Sequence, residues 1–258
     1  MCLIFFAVQQ HPNYNLVIAA NRDEFYSRKT APAAFWQEQP NILGGRDLEA
    51  KGTWMAMTKT GRISMVTNYR DPHNINPIAP SRGQLVSDYL AGEMDPSFYL
   101  KKIEQVGKAY NGFNLIVGNS SDLYYYSNYS GSPTKIEQGI HGLSNHLLDT
   151  PWPKVERGKE KWNALLTQPV LKPAELFDFL LDEQQAPDEQ LPETGIGLDR
   201  ERALSSMFIK TNGYGTRCST VILIDHQNKV EFTERVYNLA TFQYDDRTFS
   251  FEISGRQR

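Results

Sequence analysis

Short apolar runs dominate the first seventy residues of the chain. Two of them, Cys2 to Val8 and Leu16 to Ala20, flank the turn-rich segment His11 to Asn15 and predict a β-hairpin. A second hairpin is predicted from Thr53 to Met57 and Ile63 to Thr67. The runs of the first hairpin are apolar at consecutive positions, which is typical of strands buried on both faces. We therefore expect a sheet that is covered on both sides.

Helical periodicity begins after residue 80 and alternates with further strands. Ser81 and Gln84 form a capping-box pattern, and Asp95-Pro96, Thr150-Pro151 and Pro173 mark three more helix starts. The later predicted strands are 113–117, 123–126, 217–225, 229–236 and 248–253. This order of strands, helices and strands predicts an α+β fold. The loop-like stretch 184–197 is short, so we predict a single domain over residues 1–258.

Composition and the absence of long apolar runs limit the expected partners, location and metal content of the protein. The 27 Lys and Arg residues against 30 Asp and Glu give a net charge of −3, so no basic excess is available for a nucleic acid. No apolar run reaches the length of a transmembrane segment, and the opening run lacks the flanks of a signal peptide, which together predict a cytoplasmic location. The two cysteines and the histidine spacing predict no metal site. The oligomeric state is left open.

Cys2 is the first candidate for chemistry. If Met1 is removed, the thiol stands beside a free α-amine with a pKa of about 7.7 to 8.0, and this amine can accept the thiol proton as a built-in base. The alternative is that Cys2 is a small core residue of a buried strand. On position alone the two interpretations stay open.

The predicted first hairpin brings a carboxylate to this thiol. If the turn lies at Pro12-Asn13, opposing residues have numbers that sum to 25, which places Cys2 opposite Asp23 on one face. Asp23 would then hold the amine in place. A slip of one residue would move Asp23 to the other face, and the alternative for residues 21–24 is a solvated strand end with local ion pairs.

Three other polar residues stand near predicted strand ends. The amides of Asn68 and Asn145 are candidates for stabilising an oxyanion, although asparagine is also a common turn former. Arg217 opens an apolar run, where a buried guanidinium needs an anion such as Asp23, Glu24 or a substrate carboxylate.

Eight stretches in order along the chain resemble the NRDE family, also called the transport and Golgi organization protein 2 family. They are Met1-Cys2-Leu3-Ile4, Ala20-Asn21-Arg22-Asp23-Glu24, Gly52-Thr53-Trp54, Thr67-Asn68-Tyr69-Arg70-Asp71-Pro72, Gly112-Phe113-Asn114-Leu115, Gly142-Leu143-Ser144-Asn145, Asp149-Thr150-Pro151-Trp152 and Tyr214-Gly215-Thr216-Arg217. The resemblance implies a four-layer αββα N-terminal-nucleophile hydrolase fold, similar to that of the penicillin V acylase and choloylglycine hydrolase group.

By the same resemblance, five residues would take part in catalysis, and we also expect two neighbours of Asp23 to bind the ligand. The catalytic set is Cys2, Asp23, Asn68, Asn145 and Arg217, and the ligand-binding pair is Asn21 and Arg22. The acylases also place an arginine three residues ahead of the aspartate, whereas this chain has Ala20 there and Arg22 beside Asp23.

The resemblance implies two kinds of function. The first is a cysteine hydrolase that cleaves a small amide or acyl substrate through a thioester and needs no cofactor. The second is a non-catalytic protein that binds and moves haem or a lipid or acyl ligand, for which the 12% aromatic content could line an apolar pocket. A member with an inactive site is a third possibility, because a fold does not fix an activity.

Overall fold

The computed structural model describes residues 2–254, and Met1 and residues 255–258 lie outside this range. In chain order the strands are β1 (Cys2–His11), β2 (Tyr14–Phe25), β3 (Thr30–Phe35), β4 (Ile42–Asp47), β5 (Met55–Thr58), β6 (Ile63–Asn68), β7 (Phe113–Gly118), β8 (Leu123–Ser127), β9 (Thr134–Lys135), β10 (Gly139–Leu143), β11 (Lys210–Thr211), β12 (Tyr214–Asp225), β13 (Lys229–Tyr237) and β14 (Tyr244–Glu252). The α-helices are α1 (Gly83–Ala91), α2 (Pro96–Val106), α3 (Pro153–Leu166), α4 (Pro173–Leu180) and α5 (Leu198–Ala203).

These strands build two seven-stranded antiparallel sheets. The first sheet has the order β10-β1-β2-β12-β13-β14, with β11 paired to β12, and the second runs from β3 to β9 in chain order. Helices α3 and α4 pack on the first sheet, and α1 and α2 pack on the second. The result is the predicted four-layer αββα fold, with the two sheets in the middle.

Strand β1 is an interior strand of the first sheet, between β10 and β2, and is buried on both faces, as its continuous apolar pattern predicts. The even-numbered residues from Cys2 to Val8 pack in the core that includes the second sheet. The odd-numbered residues from Leu3 to Ala7 pack against the α3 and α4 side, where Trp162 is fully buried. The side-chain alternation of a strand thus assigns the Cys2 thiol to the space between the sheets.

The register of the first hairpin differs from the prediction by one residue. At the turn, His11 pairs with Tyr14 as expected, but Val8 pairs with Leu16 and Cys2 pairs with Arg22. The shift occurs at a β-bulge between Val8 and His11, where Gln9 has a φ of 53°. The predicted pairing of Cys2 with Asp23 is therefore wrong, because the bulge absorbs one extra residue of β1.

All four predicted helices are present, with small shifts at the starts of some of them. The Asp95 side chain accepts a hydrogen bond from the N–H of Ser97 and caps α2. Helix α1 begins at Gly83, and its N-cap position is Arg82 rather than Ser81, without a side-chain cap bond. Within residues 2–254, we find no helix that is both long and apolar enough to cross a bilayer.

Candidate active site

Cys2 lies at the start of β1 and lines a cavity of about 440 Å³ formed by residues of both sheets. Only 7% of the residue is exposed. Burial raises the pKa of the Cys2 thiol to about 11; the negative charge of Asp23 adds to this rise, and the positive charge of Arg22 opposes it. The thiol therefore needs a proton acceptor before it can act as a nucleophile near neutral pH.

Arg22 sits between two thiols on the same face of the first sheet. It is directly opposite Cys2 on β1 and directly opposite Cys218 on β12. Residues that oppose each other across antiparallel strands share a face, and all three line the same cavity. This row places a guanidinium beside the Cys2 thiol, although the acylase-like arginine position holds Ala20.

Asp23 lies next to this row but points to the other face. Its Oδ1 accepts a hydrogen bond of 2.7 Å from the Thr216 hydroxyl, and 1% of the residue is exposed. Burial raises the pKa of the Asp23 carboxyl, while the charge of Lys154 and the Thr216 bond act in the opposite direction. The shared face predicted for Cys2 and Asp23 is thus wrong. The two residues are still coupled, because the Asp23 main-chain N–H interacts with the Cys2 sulfur.

Lys154 is a buried cation on the same side as the Asp23 carboxyl, and it was not among the site residues predicted from the sequence. It lies in the first turn of α3 with 1% of the residue exposed, and its Nζ donates to the Leu204 carbonyl at 2.8 Å. Burial lowers the pKa of Lys154 from its ordinary 10.5 to about 8, against the charge of Asp23. The available signal was its spacing, since Lys154, Gly158 and Trp162 recur every four residues on the buried helix face.

The two predicted oxyanion residues occupy different positions. Asn68 ends β6 and lines the cavity, and its side-chain amide has no hydrogen-bond partner among residues 2–254. Asn145 is completely buried, and its Nδ2 donates to the main-chain oxygen of Asn68 at 3.1 Å. The geometry makes Asn68 available to a ligand, while Asn145 supports the end of β6 from behind.

Asn21 and Arg217 are bonded within the protein. The Asn21 Nδ2 donates to two main-chain oxygens at 2.9 Å each, and its Oδ1 accepts from Ser219. A ligand-binding role for Asn21 does not agree with this complete set of bonds. Arg217 lines the cavity, but its Nη1 donates to the carbonyls of Phe25, Tyr26 and Arg28. The expected anion partner of Arg217 is replaced by these oxygens, which fix the turn after β2.

A second cavity of about 690 Å³ adjoins the first. Glu24, Asn68, Arg82 and Asn111 line both cavities, so they form the boundary between them. Arg70, Asp71, Asp199 and Arg200 contribute charged side chains to the second cavity, and much of the remaining lining is apolar and aromatic. This part of its lining includes Phe25, Tyr69, Ile75, Ile196, Leu204 and Tyr214. Arg82, at this boundary, was not predicted as a site residue, because nothing in the sequence pattern before α1 distinguishes it.

A comparison with solved structures identifies the fold of the chain. A solved structure of the C2A mutant of conjugated bile acid hydrolase from Clostridium perfringens is similar to this chain, with a TM-score of 0.52 and 7% identity. The match covers 98% of this chain and 97% of that chain. The similarity confirms the N-terminal-nucleophile hydrolase fold.

The family follows from the sequence comparison. The family model for Transport and Golgi organisation 2 matches residues 1–239. The Transport and Golgi organization 2 homologs of Mus musculus and Homo sapiens are each 36% identical over 275 residues, covering 98% of this chain and 99% of each relative. The chain belongs to the Transport and Golgi organisation 2 family.

Proposed function

We propose that the protein is a cysteine N-terminal-nucleophile hydrolase that cleaves a small amide or acyl substrate through a thioester. The observation that carries the proposal is the position of Cys2, which begins an interior strand of the first sheet and lines the first cavity beside Arg22. The fold neighbour is a hydrolase of conjugated bile acids, which supports a hydrolytic function for the fold.

The α-amine of Cys2, after removal of Met1, is the proposed base. A main-chain nitrogen lies in the plane of the sheet rather than on one face, so the Asp23 carboxyl can approach it from the helix side while the thiol faces the cavity. The amine takes the thiol proton, and the resulting ammonium is held by the Asp23 carboxylate. Lys154 is positioned to keep Asp23 ionised, since its positive charge opposes the rise in the Asp23 pKa.

Acyl transfer then follows in two steps. The thiolate attacks the amide carbonyl carbon to form a carbon–sulfur bond, and the Asn68 amide stabilises the oxyanion. The ammonium gives its proton to the leaving nitrogen as the carbon–nitrogen bond breaks, which leaves a thioester on Cys2. Water attacks this thioester with the amine again as base, and the acid product and free thiol are released. Asn145 holds the end of β6, and Arg217 holds the turn after β2.

Cysteine substitution and N-terminal mass together test the proposal. We expect intact-mass measurement to show loss of Met1, and a panel of N-acyl amides to reveal turnover by the wild type that Cys2→Ala lacks. Cys218→Ala is the matched control, because Cys218 is a buried thiol of the same cavity. Retained Met1 in an active enzyme, or equal turnover by wild type and Cys2→Ala, would contradict the mechanism.

The second cavity favours a second candidate function, the binding of an apolar ligand such as haem or a lipid without catalysis. Its volume of about 690 Å³ and its apolar lining are suited to such a ligand. Titration with haem, followed by absorbance, and with a fatty acid, followed by calorimetry, tests it. Saturable binding with an unchanged substrate panel favours the carrier, whereas turnover that depends on Cys2 favours the enzyme.

A further inference from the structure

The last strand of the first sheet, β14, has a long unpaired edge. β14 pairs with β13 over nine residues, from Tyr244 to Glu252, without a register shift. No other strand of residues 2–254 pairs with it. Every residue of β14 except Phe249 and Phe251 is exposed. An edge strand of this kind presents a row of unpaired N–H and C=O groups with which another chain can pair.

The other outer strands carry features that oppose such pairing. β9 and β11 contain two residues each. β3 contains Pro32 and has a register shift between Ala31 and Ala34. β10 contains five residues and packs against α3. Short length, proline and irregular pairing are common ways of protecting a sheet edge, and β14 has none of these three.

Hydrogen bonds at the two ends of β14 show which of its main-chain groups are directed outward. At one end, the Gln243 carbonyl accepts from the N–H of Asn238. At the other end, the Ile253 N–H donates to the carbonyl of Asn228. Odd-numbered residues therefore bond inward to β13. Because inward and outward groups alternate along an antiparallel strand, the even-numbered residues of β14 direct their N–H and C=O groups away from β13.

The charges on β14 favour one way of pairing two copies of the strand. An antiparallel pair with its two-fold axis at Thr248, the central residue, gives all nine residues of each copy a partner, and no like charges are directly opposed. An axis at Asp246 or Arg247 would place that charge opposite itself. An axis at Phe249 would place Asp246 opposite Glu252 of the second copy.

We propose that two copies of this chain associate through β14, in an antiparallel pair centred on Thr248 that joins their first sheets into one. A second copy is the occupant because the edge is self-complementary, as the interface of a two-fold dimer requires. Asp246, which accepts from Arg235 of its own chain at 2.8 Å, then lies opposite Ser250 of the second copy. The inference is independent of the proposed hydrolysis, since within the described part of the chain neither cavity includes a residue of β14.

The first test measures the oligomeric state of the full chain by sedimentation velocity, from about 1 µM to about 100 µM protein. We expect a dimer whose fraction rises with concentration. Thr248→Pro removes an outward N–H that the β13 pairing does not use, so it should raise the dimer dissociation constant about tenfold or more. Thr248→Val is the matched control. Both variants lose the hydroxyl contact with Thr233 at 3.1 Å, but valine keeps the N–H.

Cross-linking tests the register without a proline. Thr248→Cys should form a covalent dimer with a short bismaleimide, because the Cα atoms of directly opposed residues lie about 5.5 Å apart. Ser250→Cys is the control, since its counterpart in the second copy would lie four residues further along the strand, about 14 Å away. The native thiols of Cys2 and Cys218 are buried and serve both variants as the same background.

Each outcome supports or overturns the proposed dimer. A monomer at every concentration overturns it, and so does a dimer that is as tight in Thr248→Pro as in the wild type. Equal cross-linking of Thr248→Cys and Ser250→Cys contradicts the pairing centred on Thr248. If Thr248→Pro does not fold, as judged by circular dichroism, the cross-linking decides: a covalent dimer of Thr248→Cys alone supports the proposal, and its absence overturns it.

Discussion

Cys2 and Cys218 are two buried thiols in nearly equivalent surroundings. They lie on either side of Arg22, on the same face of the first sheet, and they line the same cavity. Burial raises the pKa of both thiols. The side-chain environment therefore gives neither thiol an obvious advantage as a nucleophile.

Their positions along the strands are what differ. Cys218 lies within β12, with peptide groups on both sides, and Glu234 faces it from β13. Cys2 is the first residue of β1, where its main-chain nitrogen becomes an amine if Met1 is removed, and Asp23 and Lys154 lie nearby. A position at the start of a chain can therefore supply the base that a buried thiol lacks.

The largest expected effect comes from removing this advantage. Insertion of a lysine between Met1 and Cys2 blocks methionine removal, because that step requires a small second residue. Turnover should then fall roughly 1,000-fold or more, since the nucleophile loses its base. Steady-state kinetics and intact mass measure both changes together. Full activity in a chain with a confirmed extension would remove the distinction between the two cysteines.

Asn68→Ala should have the next largest effect. Loss of an oxyanion donor lowers kcat by about 100-fold and changes KM little. Asn111→Ala is the matched control, because Asn111 lines the same two cavities but uses its amide in hydrogen bonds with Asn76. If kcat falls equally in the two variants, the oxyanion role of Asn68 is not supported.

The buried Lys154 should make the stability of the protein depend on pH. Its pKa is lowered by burial to about 8 in the folded protein, so between pH 8 and 10.5 the unfolded chain holds a proton that the folded chain has released. The free energy of unfolding of the wild type should therefore rise with pH across this window, relative to Lys154→Met, by up to about 3 kcal/mol.

Urea unfolding of both proteins at several pH values across this window measures the difference. Lys161→Met serves as the control, because Lys161 is on the same helix with its side chain half-exposed. Parallel stability curves for the wild type and Lys154→Met would show that Lys154 does not titrate in the way its burial indicates.

The smallest effect concerns Cys218. The charge of Glu234 adds to the rise in the Cys218 pKa, so Glu234→Gln should increase the alkylation rate of Cys218 by several-fold. Cys2 should be unaffected. Mass-spectrometric rates of iodoacetamide labelling at each cysteine distinguish them, and an equal change at both sites would indicate a general loosening of the sheet.

Much of the fold follows from local patterns in the sequence. The apolar pattern of β1 correctly predicts burial on both faces, and the turn at Pro12-Asn13 is confirmed by the pairing of His11 with Tyr14. Strands β3 and β4 were missed, because their alanines and glycines carry little apolar pattern. The six-residue helix α5 was also missed, since it is too short for helical periodicity.

The candidate site is less readable from the sequence, because it depends on register and on distant elements. Position alone identified Cys2, but the bulge at Gln9 reversed the expected face of Asp23. Lys154 and Arg82 reach the site from α3 and from the start of α1, and no local pattern links them to β1. Asn68 was predicted from its place at a strand end. Only the structure shows that the Asn145 amide donates to the main chain of Asn68 instead of facing the cavity.

The bulge in β1 allows the β1–β2 hairpin to lose one residue without a change in the register near Cys2. It sets two residues, Gln9 and Gln10, against one residue of β2, so a chain without Gln9 keeps Val8 opposite Leu16 and Cys2 opposite Arg22. Deletion there removes the bulge and leaves the nucleophile on its side of the sheet. Relatives that differ by one residue near this tip are therefore best aligned with the gap at the bulge.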